Sequence, residues 1–307
     1  MRLVRAGVSR AVRTGSRWRT SKLLLLAALA SGCGAETAPL NVGPIEQPET
    51  LWSADSPAWS PDGSRIAYSR YVRGSPSTTG IWIVDTAGVV GPQVLRGEWH
   101  ETDWSPDGTR LAITYAGNKG VYSVKTTGDG LQAITTKGSR PRWSPTGNEL
   151  AFQTFDTTGT GTIWIVSQDG TGLRSLAPTG IESWRDPDWS PDGARLVHIR
   201  QSSPGSAGAV FLMDTTGHAE QRLTTDMGYM DPTWSPDGQW IAYTYSPGHI
   251  YLMKRDGTEA HYLTDGELPS WSPDSRRIVF SQYNWLGFGY LFAIDIATLR
   301  IRQITDR

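Results

Sequence analysis

Between residues 57 and 307 the chain alternates short apolar runs with polar turns, and the apolar runs come in two recurring kinds. One is three residues long: Ile66-Ala67-Tyr68, Leu111-Ala112-Ile113, Leu150-Ala151-Phe152, Leu196-Val197-His198, Ile241-Ala242-Tyr243 and Ile278-Val279-Phe280. The other is four long, as in Ile81-Trp82-Ile83-Val84, Val121-Tyr122-Ser123-Val124, Ile163-Trp164-Ile165-Val166, Val210-Phe211-Leu212-Met213, Ile250-Tyr251-Leu252-Met253 and Leu291-Phe292-Ala293-Ile294. Runs this short, rich in β-branched and aromatic residues and bounded by Gly, Asp and Pro, read as strands. A further strand follows turns such as Gln168-Asp169-Gly170 and Arg255-Asp256-Gly257. It is clearest at Arg222-Leu223-Thr224, Tyr262-Leu263-Thr264 and Gln303-Ile304-Thr305. No helical periodicity stands out beyond the N-terminal leader.

Ahead of each three-residue run stands one heptapeptide, Pro-x-Trp-Ser-Pro-Asp-Gly, first complete at Pro57–Gly63 and recurring around Trp104, Trp143, Trp189, Trp234 and Trp271. Thr102 replaces the leading Pro of the second copy, Thr146 the Asp of the third and Ser275 the Gly of the sixth. Successive Trp residues lie 45, 39, 46, 45 and 37 positions apart. A period of about 42 built from short strands is that of one propeller blade. Ser-Pro-Asp-Gly is a tight turn: Pro presets φ, Asp bonds its own backbone and Gly accepts positive φ. A Pro two residues before Trp cannot donate to a ladder and belongs on an edge strand, here the one facing the central channel. The predicted fold is all-β: six blades of four antiparallel strands over 51–307.

Composition changes the picture at the N-terminus. Residues 1–32 carry seven Lys or Arg and no acid, with the apolar run Leu23–Ala30 and then Ser31-Gly32-Cys33. This predicts a secretory signal over 1–32 and a flexible Pro- and Gly-containing tether over 33–50. Cys33 is the single cysteine, and its setting resembles a lipobox, predicting lipidation and a membrane anchor; an ordinary signal with an incidental thiol is the other reading. Without the leader, 22 basic residues face 30 acidic ones, a formal charge of −8 that offers no footprint for nucleic acid.

The Trp-Ser-Pro-Asp-Gly repeats, followed by Ile-Ala-Tyr-like and Ile-Tyr-x-Met-like strands, resemble the TolB-type six-bladed β-propeller family over residues 57–307. TolB is a periplasmic part of the Tol–Pal envelope system and has an α/β domain before its propeller. Here about twenty residues separate Cys33 from the first blade, so the resemblance carries over the propeller alone. Leader, lipobox and loop aromatics together predict an exported protein on the periplasmic side of the outer membrane or in the cell envelope, binding a protein or peptidoglycan-associated partner as a monomer.

Candidate chemistry is sparse. The Trp, Pro, Asp and Gly of the repeats recur in every blade, as architecture does. His198 takes the place of a packed ring, His218 and His261 fall in outer turns or strands, and His249 opens a third strand. Only His100, in Glu98-Trp99-His100-Glu101-Thr102-Asp103, has acids nearby in a blade-to-blade loop. There is no Gly-x-Ser-x-Gly elbow, no phosphate loop and no Cys-based metal site, so neither cofactor nor metal nor catalytic residue is expected. The reading is a non-catalytic binding scaffold; a carbohydrate-active hydrolase or lyase at the channel mouth is the alternative. The candidate binding residues at the mouth are Trp99, His100, Glu101, Arg140, Trp184, Asp186, Tyr229, Asp231 and Trp285. The third residue before each repeat Trp (Ser56, Glu101, Arg140, Asp186, Asp231 and Leu268) is expected to begin the innermost strand and to ring the mouth. Trp99 and Trp184 are expected to flank it.

Overall fold

A computed structural model describes residues 52–116, 120–176, 182–225, 228–284 and 286–305. Cys33, the leader, the tether and Trp285 lie outside the described residues. Among the described residues there are 24 strands and no helix. They form six antiparallel four-stranded sheets, each built from consecutive strands. The innermost strands are β1 (Trp52–Trp59), β5 (Trp99–Trp104), β9 (Ser139–Trp143), β13 (Ser183–Trp189), β17 (Tyr229–Trp234) and β21 (Glu267–Trp271). Of the outermost strands, β20 (His261–Asp265) contains the expected Tyr262-Leu263-Thr264, whereas β16 (Gln221–Arg222) and β24 (Ile301–Gln303) begin one and two residues earlier than expected and are shorter or shifted.

The heptapeptide closes the first hairpin of each blade. In blade 1 the nearly buried Ser60 hydroxyl donates to Asp62 Oδ1 (2.6 Å) and accepts from Arg65 N (2.9 Å). Asp62 also accepts from Ser64 N, and these bonds, led by Ser60, pull its carboxyl down to about 2. Gly63 sits at φ 71°, and in blade 6 Ser275 takes the same conformation at φ 57°. The repeat Trp then turns onto the preceding blade. Six apolar clusters fill the six seams, and each contains one of these indoles: Trp59 beside Val279 and Leu291, Trp104 beside Ile81 and Ile83, and so on round the ring. Blade 6 meets blade 1 without a shared strand among the described residues. The junction is held by Gly289 N donating to Ser53 Oγ (2.8 Å), Trp59 N to Ser270 Oγ (3.3 Å) and Arg302 Nη2 to Ala87 O (2.7 Å).

Blades 1–3 resemble blades 4–6 in sequence-specific detail. Ser183 Oγ accepts from Gly161 N (2.8 Å) at the seam of blades 3 and 4, as Ser53 accepts from Gly289 at the seam of blades 6 and 1. A Cβ on Gly161 would meet Trp184 O at 2.6 Å, and one on Gly289 would meet Ala54 O at 2.6 Å. Gly138 and Gly266, both at positive φ, lie over Phe152 and Phe280 in blades 3 and 6. The Trp spacings carry the same division: 45 then 39 within blades 1–3, and 45 then 37 within blades 4–6.

Candidate binding site at the channel

Each innermost strand contains a bulge, and each bulge places one residue in the left-handed region: Ser56 (φ 50°), Glu101 (55°), Arg140 (54°), Asp186 (54°), Asp231 (52°) and Leu268 (57°). A non-glycine residue in that region costs about 1–2 kcal/mol, so six in one ring mark a conformation fixed by its surroundings. These are the six positions expected to ring the mouth, but they lie within the strands rather than at their starts, because each strand pairs with its neighbour before the bulge as well as after it. Freed from the ladder, their N–H groups turn to side chains: Arg140 N donates to Glu101 Oε2 (2.6 Å), Asp186 N to Gln153 Oε1 (2.6 Å) and Leu268 N to Thr244 Oγ1 (3.3 Å).

Arg140 crosses the channel. Its Nε lies 3.2 Å from Asp186 and 3.7 Å from Glu101, and its Nη1 donates to Asp231. One guanidinium from blade 3 thus touches carboxylates of blades 2, 4 and 5. Burial disfavours its charge, yet Asp231, Asp186 and Glu101 together hold its proton more firmly than in water. Burial pushes the Asp231 carboxyl up, against the opposing pull of Arg140. The void left beside them, lined by Ser56, Glu101, Arg140, Arg142, Asp231 and Leu268, is about 20 Å³, room for about one water.

A second layer lies on the turn side of the ring, one residue before each Trp. Asp103 accepts from Trp143 N (2.7 Å) and Asp188 from Trp234 N (2.8 Å), so each carboxylate bonds the next blade. Arg142 Nε lies 3.7 Å from Asp188. Desolvation here pushes the Asp103 carboxyl up to about 7, despite Arg142. On the mouth side, Glu267 is raised by burial and then by the negative charges of Asp231 and Asp55. Burial and Asp55 likewise raise the Tyr283 phenol. Arg185, four residues before Trp189, adds a cation 3.7 Å from Asp186, yet Glu101, Asp186, Asp231, Asp55 and Glu267 outnumber Arg140 and Arg185 on the mouth side. Asp55 and Glu267 escape a reading confined to the ring position; their shared place, four residues before a repeat Trp, is the signal that could have found them.

The aromatic candidates have another job. In four blades the residue five before the repeat Trp packs on the residue nine after it. Trp184 lies over His198 (5.0 Å), Tyr229 against Tyr243 (5.3 Å), Gly138 over Phe152 and Gly266 over Phe280. Trp184 is 1% exposed and fills the seam of blades 3 and 4, so its ring presents no surface to a partner. Trp99 is half-buried, edge-on to Tyr115 (4.8 Å) and Tyr122 (5.2 Å), with its Nε1 donating to Arg96 O (3.0 Å). Tyr229 is half-buried and His100 exposed. His198 is fully buried, and burial lowers its basicity. Among the described residues no group of three His, Cys, Asp or Glu side chains has the arrangement to hold a metal ion.

Comparison with known proteins fits this architecture. A family model described as the TolB beta propeller domain matches residues 52–258 and 139–307. The Tol-Pal system protein TolB of Francisella tularensis is 28% identical over 154 residues, covering 48% of this chain and 35% of that protein. An uncharacterized peptidase, YuxL of Bacillus subtilis, is 33% identical over 110 residues, covering 32% of this chain and 16% of that protein. The chain thus spans about a third or less of the length of these curated relatives. Among solved structures, TolB from Acinetobacter baumannii superposes with a TM-score of 0.63 at 20% identity, over 82% of this chain and 63% of that one. An oligogalacturonate lyase in complex with manganese superposes at 0.56 and 15% identity, over 81% and 91%. Those two likenesses concern the fold alone. With the family model matched across all six blades, the chain belongs to the TolB β-propeller domain family.

Proposed function

We propose that this propeller is a non-catalytic binding scaffold of the cell envelope, exported and anchored through a lipid on Cys33, and that it docks a protein or peptidoglycan-associated partner over the channel mouth. The carrying observation is the surplus of negative charge on the mouth side. Arg140 is already engaged by Glu101, Asp186 and Asp231, while Glu267 feels the negative charges of Asp231 and Asp55, and neither Glu267 nor Asp55 forms an ion pair among the described residues. Such a site attracts a basic or amino-bearing group. Arg140 and its carboxylates leave a void of only about 20 Å³ beside them, so the partner is placed on the mouth and not through it.

The test is affinity capture with the mature protein from its native envelope, read by mass spectrometry, beside fatty-acid labelling of wild type and Cys33→Ser. The expected results are a specific envelope partner and labelling that Cys33→Ser abolishes. Turnover of an acidic oligosaccharide by the purified protein would overturn the scaffold reading. Labelling unchanged in Cys33→Ser would overturn the anchor.

A further inference from the structure

On the mouth-side end of blade 1, one cation is built into an aromatic clamp. Arg70 lies on β2 (Arg65–Val72), paired with Ala54, one step beyond the pair Asp55–Ser69 beside the ring bulge. Its guanidinium carbon sits 4.6 Å from the centre of the Trp52 ring and 5.3 Å from that of Trp82. Both indoles are braced: Tyr290 of blade 6 meets Trp52 edge-on at 5.6 Å, and Trp82 Nε1 donates to Thr78 O (3.0 Å). Arg70 is half-buried, and its buried Nε has no hydrogen-bond partner; among the described residues no carboxylate pairs with it. Indoles against a guanidinium stabilise its charge while its N–H fork stays directed in the plane, where a carboxylate docks.

The chain itself shows what this position of a blade receives. Arg200 stands eleven residues after Trp189, as Arg70 stands eleven after Trp59. Its guanidinium lies 5.1 Å from the Phe211 ring, and Phe211 occupies the register that Trp82 has in blade 1. There the fork is filled: Glu182 binds Nη2 at 2.5 Å and Glu220 binds Nη1. Glu182 stands seven residues before Trp189, and the same place in blade 1 holds Trp52. Blade 1 has the arginine at this place but an aromatic wall, Trp52, where blade 4 has the carboxylate of Glu182. We propose that Arg70, Trp52 and Trp82 form a socket for the carboxylate of an acidic side chain on a protein partner. A polypeptide carboxylate is the assigned class because the matching arginine takes glutamate side chains. This inference does not rest on the channel reading, which calls for a basic group at a different place.

The test uses the mature propeller and a hexaglutamate peptide, titrated while the arginine Nε–Hε and indole N–H signals are followed by NMR. Arg70→Gln identifies the Arg70 signal, and thermal melting shows whether each variant is folded. A saturable shift at Arg70 and at the Trp52 and Trp82 indoles is expected. Affinity should fall at least about ten-fold in both Arg70→Gln and Arg70→Lys, because lysine keeps the charge without the fork. The neighbouring exposed Arg73→Gln should bind as wild type does. No saturable shift in the wild type, or equal affinity in folded Arg70→Lys, would overturn the socket. Tighter binding of an oligogalacturonate than of hexaglutamate would overturn its assignment to a protein partner.

Discussion

At the scale of single residues, Arg140 decides how the channel behaves. Three carboxylates from three other blades share one guanidinium, and Asp186 and Asp231 are 6% and 8% exposed. Neutralising all three acids would leave a buried cation unpaired, so Glu101→Gln/Asp186→Asn/Asp231→Asn should unfold about 3–5 kcal/mol more easily than wild type. Urea denaturation checks this; a loss under about 1 kcal/mol would mean that Arg140 does not depend on the ring. Asp103 gives a second reading. Its carboxyl keeps a proton up to about 7 in the folded state, while in the unfolded chain it releases it near its usual value, about 3.9. The folded state therefore binds the extra proton between these values, and this residue's contribution to stability falls as pH rises through that window. Asp103→Asn should flatten the fall in a pH series of melting temperatures, and an unchanged slope would contradict the assignment. The ring residues were legible because a fixed offset from a repeated Trp keeps its meaning in every blade. Trp184 was not, because its burial comes from the apolar seam of blades 3 and 4, assembled from Ile163, Ile165 and Leu176 of the neighbouring blade, which no local offset reveals.

At the scale of strands, the packing of the first strand's start on the second strand of the same blade sets what a blade tolerates. A Cβ on Gly266 would come within 2.3 Å of Phe280 Cδ2, and φ there is +148°. Gly266→Ala should destabilise by about 2 kcal/mol, combining strain with overpacking, and Gly138→Ala should follow it because a Cβ on Gly138 would lie 2.5 Å from Phe152 Cδ2. Urea midpoints within experimental scatter of wild type would contradict this packing within the blade. Trp189 closes the seam of blades 3 and 4 and donates through Nε1 to Arg142 O (3.1 Å); Trp189→Ala should lose about 3–5 kcal/mol. The inner three strands of each blade were readable from alternation and turn chemistry. The outermost were less so: strands of two residues, such as Gln221–Arg222, bury little and leave no periodic trace.

For the whole molecule, six similar blades hide a coarser repeat of two triplets. It was present in the Trp spacings, but spacing alone cannot show that Ser53 and Ser183 receive corresponding glycine N–H groups, or that Arg70 and Arg200 share a register and differ in what fills their forks. Function follows from where the triplets differ. Leu268 corresponds to Arg140 in the other half, so the ring position supplies one cation on which three ring carboxylates gather; Arg185 adds a second beside Asp186, while Asp55 and Glu267 have no ion pair among the described residues. The most direct measurement is the affinity of the captured envelope partner for wild type and for Asp55→Asn/Glu267→Gln across rising salt. Neither residue contacts Arg140, so the fold should persist. The wild-type affinity should fall steeply with salt, and the variant should bind more weakly with a shallower dependence. Equal affinities and equal slopes would contradict binding through the charge of the mouth.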